Sequence, residues 1–245
     1  WGFRVDNYEP DLPTKSTVTF LTEPTYVPQL EREGAATTGV EVSQPCTNCP
    51  GTEATRGNYT KRGLGYLKEK EVIPPEARVR GEVGATLASY LDWRDRNGVD
   101  WTTPIRNQGG CGSCVAFGAI ATFEAHLKIQ SGNPDWDIDL SEQHLFSCGG
   151  GKCDVGWWIG PALNYLYYPG VPYESCFPYR AWDAPCTGTC PDWLLKRHWL
   201  LDWDWAFPDP GTIEYFLQFG PVVAGFDVYA DFYYDYTGGV YRHTY

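Results

Sequence analysis

The order of elements along these 245 residues predicts an α+β protein. Helical segments come first, strand-like segments follow, and no internal repeat interrupts the order. Two stretches carry that expectation. Residues 115–129 set Phe117, Ile120, Ala121, Phe123 and Leu127 beside Glu124 and Lys128 with one largely apolar face, as a core helix requires. Residues 222–228 (VVAGFDV) form a short apolar run of the kind that fills a buried strand.

Residues 1–85 differ in texture from the rest. They are rich in Pro, Thr, Glu and Gly, with a short strand beginning at Val18 and a short helix over 64–72 that Pro74-Pro75 ends. The segment reads as an N-terminal extension over a larger body: a propeptide, a wrap or an assembly arm. Cys46 and Cys49 lie within it as a redox pair, half of a zinc site or a local disulfide. Residues 91–94 (LDWR) are strand-like. A glycine-rich turn at 109–112 leads into the 115–129 helix. Ser141 caps a second helix, and Pro161 opens a third that runs through Leu166. Residues 168–210, rich in Pro, Cys and Trp, read as a disulfide-tied loop region. Residues 212–219 form a short helix ended by Gly220-Pro221. The expected division is 1–85 for the extension, 86–205 for a helical lobe and 206–245 for the start of a β-rich lobe.

A formal charge of -12 argues against a nucleic-acid partner, whose phosphates demand clustered Lys and Arg. No apolar run reaches the roughly 18 residues that span a bilayer. Nothing at the start resembles a signal peptide, and the absence of Met suggests a chain that begins at a processing site inside a longer precursor. Nine cysteines fit an oxidising compartment, where eight pair and one remains. The sequon at Asn58 fits the same extracellular or cell-surface setting.

The motif at 107–118, NQGGCGSCVAFG, has three chemical readings. A zinc half-site needs a second pair, and Cys186 and Cys190 have the wrong spacing for a common ribbon. A thioredoxin-like pair needs a preceding βαβ unit, which is missing. In the third reading Cys114 stands at the first turn of the following helix, where unpaired N–H groups and the macrodipole stabilise a thiolate. Gly109, Gly110 and Gly112 then let the backbone approach a substrate, and Gln108 with the Cys114 N–H can hold a developing oxyanion.

That segment resembles the active site of the papain-like cysteine peptidases, the family of papain and cathepsin B, with CGSCVAF closer to prokaryotic members. The likeness continues in LDWR at 91–94, TPIRNQ at 103–108, LSEQHLFSC at 140–148, GPVVA at 220–224 and YTGGVYRH at 236–243, and covers roughly residues 88–245. It implies a two-lobe fold, a helical lobe beside a β-barrel-like one that is incomplete in this chain, and peptide hydrolysis without a cofactor or metal. Residue by residue it implies Cys114 as nucleophile and Gln108 as oxyanion donor. It pairs Cys111 with Cys153, Cys148 with Cys186 and Cys176 with Cys190, leaving Cys46 for Cys49. Gly156 would bind substrate backbone, Trp157 and Trp158 would wall the neighbouring pocket or serve as core aromatics, and Gly225 would leave that pocket roomy. Val115 departs from the family's usual Trp, and CDVG at 153–156 departs from its Cys-Asn-Gly-Gly.

The family's nucleophile works with an imidazole that takes its proton and an amide that orients the ring. His126 lies about 18 Å along the nucleophile's own helix. His144 falls where the family has no catalytic residue, and His198 sits in a Trp-rich stretch. His243 precedes the expected position by about ten residues in the resemblance. The catalytic His and Asn are therefore expected beyond Tyr245, on a companion chain or a further segment. The alternative is a non-catalytic papain-fold protein whose N-terminal arm binds neighbouring copies.

Overall fold

The computed structural model describes residues 90–226 except Pro208, together with Phe232 and the backbone of short paired strands outside that span. Cys46, Cys49, Asn58, the 64–72 helix and His243 lie outside the described residues. The strands are β1 (Phe3–Asn7), β2 (Thr17–Val18), β3 (Ala35–Ala36), β4 (Arg78–Val79), β5 (His198–Leu200), β6 (Trp205–Ala206) and β7 (Val228–Tyr229). β1 lies between β2 and β5, with Val5 opposite Leu200. β3 pairs antiparallel with β7, and β4 parallel with β6.

Four helices build the body. The longest, α1 (Cys114–Ser131), ends where Gly132 turns into the left-handed region at φ 65° and its N–H closes on Ile129 and Lys128. Ala116, Ala119, Ile120, Phe123 and Leu127 face the core. The helix is more enclosed than a one-faced amphipathic helix: Thr122, Glu124, His126 and Lys128 are buried too, and only Ala121, expected on the apolar face, is exposed. α2 (Glu142–Gly149) starts where Ser141 Oγ accepts the His144 N–H at 2.9 Å, a cap that satisfies one orphan donor. α3 (Ile159–Tyr167) starts after Trp158. α4 (Pro210–Leu217) begins two residues earlier than its sequence suggested, because Asp209 is the cap, accepting the Thr212 N–H at 3.0 Å, and Pro210 fills the first turn.

α1, α2 and α3 pack round one core in which the Trp157 and Phe146 rings meet edge to face at 6.2 Å. Trp157 lies so close over Gly149 that a β-carbon there would overlap the ring. Three disulfides brace this body: Cys111–Cys153, Cys148–Cys186 and Cys176–Cys190.

Two local expectations give way. Residues 91–94 are not a strand: the Asp92 carboxylate takes the Arg94 N–H at 2.9 Å and starts a short 3-10 turn, Trp93–Asp95. Residues 222–226 form no regular strand, only a bridge at Ala224, and regular strand in this stretch is confined to β7.

Candidate active site

The segment before Cys114 is a loop held by a disulfide and by hydrogen bonds. Cys114 is the first residue of α1, half-buried, with its thiol outside every disulfide of the described body. Its backbone N–H points out of the helix N-terminus, where the partial positive charge favours an anion. Behind it the Cys111–Cys153 bridge is doubled by a hydrogen bond from Gly112 N–H to Cys153 O at 2.9 Å. Ser113 N–H donates to Cys111 O at 2.8 Å, tightening the turn that precedes Cys114. Gly109 has φ 63°, a conformation that glycine adopts without steric cost.

Gln108 places its side-chain amide over this turn, donating from Nε2 to Cys111 O at 2.8 Å. An amide nitrogen carries two N–H groups, so that bond fixes the side chain and leaves a second donor to give. Tyr179, which the sequence reading did not single out, closes the arrangement from behind. Its hydroxyl donates to Gln108 O at 2.8 Å, so the contact of 2.6 Å with Ser113 Oγ has the serine as donor. The Tyr179 ring stands edge-on to Phe117 at 4.7 Å.

The other candidate residues take different places. Gly156 has φ 90° and donates its N–H to Lys152 O at 2.6 Å, so in this conformation that donor serves the 152–156 turn. The Trp157 indole is part of the core, whereas Trp158 is half-buried just ahead of α3. Gly225 is buried in the segment after α4.

Three histidines are described, and all are buried. Burial pushes His126 down to about 3, and its Nε2 contacts Pro221 O at 2.9 Å. His144 is held at about 4 by burial, its ring 4.4 Å from that of Trp193. His198, also at about 4 through burial, sits against Tyr173 at 5.0 Å. These are neutral core imidazoles, not bases for Cys114. His144, Cys148 and Cys186 place ligand atoms within 4.8 Å of one another, but the two sulfurs are joined in a disulfide and offer no thiolate to a metal.

Glu124 and Glu142 are buried acids, and Glu174 is half-buried. Glu124 accepts the Thr103 hydroxyl and the Leu140 N–H, each at 2.6 Å, and burial lifts its carboxyl to about 7. Burial lifts Glu142 to about 8 and Glu174 to about 7. The Glu174 carboxylate in turn takes the Tyr179 N–H at 2.5 Å.

A sequence profile described as papain family cysteine protease matches residues 87–245. The chain belongs to the papain family. Among its relatives, cathepsin B-like CP3 of Giardia intestinalis is 30% identical over 194 residues, 74% of this chain and 62% of that protein. Papain of Carica papaya is 36% identical over 138 residues, 55% of this chain and 35% of papain. Macrodontain-1 of Ananas macrodontes is 31% identical over 153 residues, 62% and 68% of the two chains. Cysteine proteinase 1 of Entamoeba histolytica matches over 30% of its own length, so the papain-family chain spans from under a third to about two thirds of these curated relatives. A solved digestive procathepsin L 3 of Tenebrio molitor is 28% identical, with a TM-score of 0.39 over 51% of this chain and 38% of that one. Among the described residues no helix is long and apolar enough to cross a membrane. The disulfides of this papain-family body fit an oxidising compartment.

Proposed function

We propose that the protein is a cysteine peptidase that hydrolyses peptide bonds through an acyl-enzyme on Cys114. The observation that carries this reading is a thiol outside the described disulfides at the start of α1, following a turn that the Gln108 amide, a disulfide and a backbone hydrogen bond hold. Cys114 Sγ attacks the scissile carbonyl carbon, forming an S–C bond. The carbonyl oxygen takes the charge and is held by the second Gln108 N–H and the Cys114 N–H. The thiol proton passes to an imidazole and then to the leaving amine as the C–N bond breaks. Water hydrolyses the thioester, releasing the acid and restoring the thiol.

The imidazole and its orienting amide come from outside the described residues, since the three described histidines are buried in the core. The protein works outside the cell or at its surface, and residues 1–85 serve as a propeptide, a wrap or an assembly arm. Substrate backbone is bound near Gly112, Gly156 and Trp158, with Trp157 in the core beneath and Gly225 leaving the neighbouring pocket roomy.

Treatment of the intact protein with a thiol-directed epoxysuccinyl peptide, followed by intact mass measurement, tests this reading. One adduct on Cys114, lost in Cys114→Ala together with peptide hydrolysis, is the expected result. Hydrolysis retained in Cys114→Ala overturns it.

A further inference from the structure

Gln108 and Ser113 stand at the two ends of the turn that precedes Cys114, and one hydroxyl from a distant part of the chain touches both. The Tyr179 oxygen donates to Gln108 O at 2.8 Å and accepts from Ser113 Oγ at 2.6 Å, across sequence separations of 71 and 66 residues. Ser113 precedes helix α1, yet its side chain makes no cap hydrogen bond to the helix; its hydroxyl is turned to the tyrosine instead. Ser113 is fully buried, so this hydroxyl has no water to fall back on.

We propose that Tyr179 is a positioning residue whose hydroxyl sets the separation of the two oxyanion donors, the Gln108 side-chain amide and the Cys114 N–H. This rests on the peptidase reading above and deepens it. The logic is geometric. The two donors lie on opposite ends of a turn containing Gly109, Gly110 and Gly112, whose backbone would otherwise sample a wide range of conformations. The Cys111–Cys153 bridge and the Gly112 hydrogen bond fix the middle of that turn, and Ser113 O is held by the Ala116 and Phe117 N–H groups of α1. Tyr179 ties the ends to each other. Catalytic donors must sit within a fraction of an ångström of the position the oxyanion takes, so a tie of this kind acts on the transition state more than on substrate binding.

Tyr179 is itself held on three sides. Its ring meets Phe117 of α1, and its N–H is taken by Glu174. The Arg180 N–H that follows is taken by Gln143 Oε1 at 2.7 Å. Burial pushes the phenol up to about 12, so it remains a donor to Gln108 O at any pH where the fold survives.

The test is Tyr179→Phe in the intact protein, which keeps the ring contact with Phe117 and removes only the hydroxyl. Three readouts separate positioning from general damage. kcat for a peptide amide falls about tenfold with KM unchanged, less than the loss expected on deleting an oxyanion donor outright. The rate of Cys114 alkylation by iodoacetamide, a displacement that builds no oxyanion, stays within twofold of the parent. Amide exchange over residues 107–113 accelerates. Ser113→Ala, which removes the other side of the bridge, reproduces the kcat loss, and the double variant loses no more than either single one. Unchanged kcat in both single variants overturns the proposal, as does a parallel fall in kcat and alkylation rate. Should Tyr179→Phe fail to fold, Ser113→Ala decides on the same readouts. If the parent neither hydrolyses peptides nor alkylates, the peptidase reading fails, while exchange over 107–113 still decides whether Tyr179 ties the turn.

Discussion

Glu124, buried in the middle of α1, holds the backbone N–H of Leu140 at 2.6 Å. One carboxyl thus joins the central helix to the residue that leads into α2, and its other oxygen takes the Thr103 hydroxyl. An ionised carboxylate here would be costly to desolvate, which is why its titration is displaced toward neutrality.

Stability is expected to be highest in mildly acid solution. Burial raises Glu124, Glu142 and Glu174 from 4.5 to about 7, 8 and 7, so their contribution is complete below 4.5 and is lost as pH rises through 7 to 8. Burial lowers His126, His144 and His198 from 6.5 to about 3, 4 and 4, so their contribution is complete above 6.5 and is lost as pH falls through 4 to 3. Between 4.5 and 6.5 the two sets offset each other. Thermal scans should give a plateau over that interval and a lower Tm at pH 8 and at pH 4. Glu142→Gln should raise Tm at pH 8 and leave it nearly unchanged at pH 5.

Gly220→Ala is expected to destabilise by about 1–3 kcal/mol, as overpacking of a core does. A β-carbon at Gly220 would fall inside the His126 ring, which is fully buried and tied to Pro221 O. Urea unfolding measures the loss, and His126→Ala in the same chain should recover part of it by opening space.

Removing bridges should cost unequally. Cys148 and Cys186 are 38 residues apart and Cys176 and Cys190 only 14, so loop-closure entropy makes the first pair worth about 1 kcal/mol more. Paired Cys→Ala variants compared by denaturant midpoint check the order.

Gln108→Ala should lower kcat by about 10²–10³ while Cys114 still alkylates, because the thiol and its helix remain. Equal losses in hydrolysis and alkylation would mean that Gln108 chiefly supports the turn through Cys111 O.

Much of the helical body was legible because its signals are local. Apolar spacing marked α1, and Ser141 marked the start of α2. The start of α4 lies two residues before the expected 212, because the Asp209 carboxylate caps the helix through Thr212 and Pro210 fills its first turn. Residues 91–94 misled for a similar reason: Trp and Leu at alternate positions suit a strand, but the Asp92 side chain turns the backbone. The candidate site divides in the same way. The nucleophile and Gln108 share one motif, whereas Tyr179 reaches it from more than 60 residues away through a single oxygen, with nothing in its own neighbourhood to mark it. Glu124 and His126 were likewise invisible as core residues, since burial of a polar side chain depends on the partners that three dimensions bring to it.

The proposed mechanism needs the Cys114 thiol reduced while the cystines stay closed, and exposure differs among the sulfur sites of the described residues. Cys186 is exposed at the surface, whereas Cys111 is 1% accessible. Thiol–disulfide exchange requires the attacking thiolate to reach a sulfur, so a mild reductant meets the Cys148–Cys186 bridge early and the Cys111–Cys153 bridge last. The bridge that braces the turn before Cys114 is thus expected to outlast the reducing conditions that keep the Cys114 thiol free of oxidation.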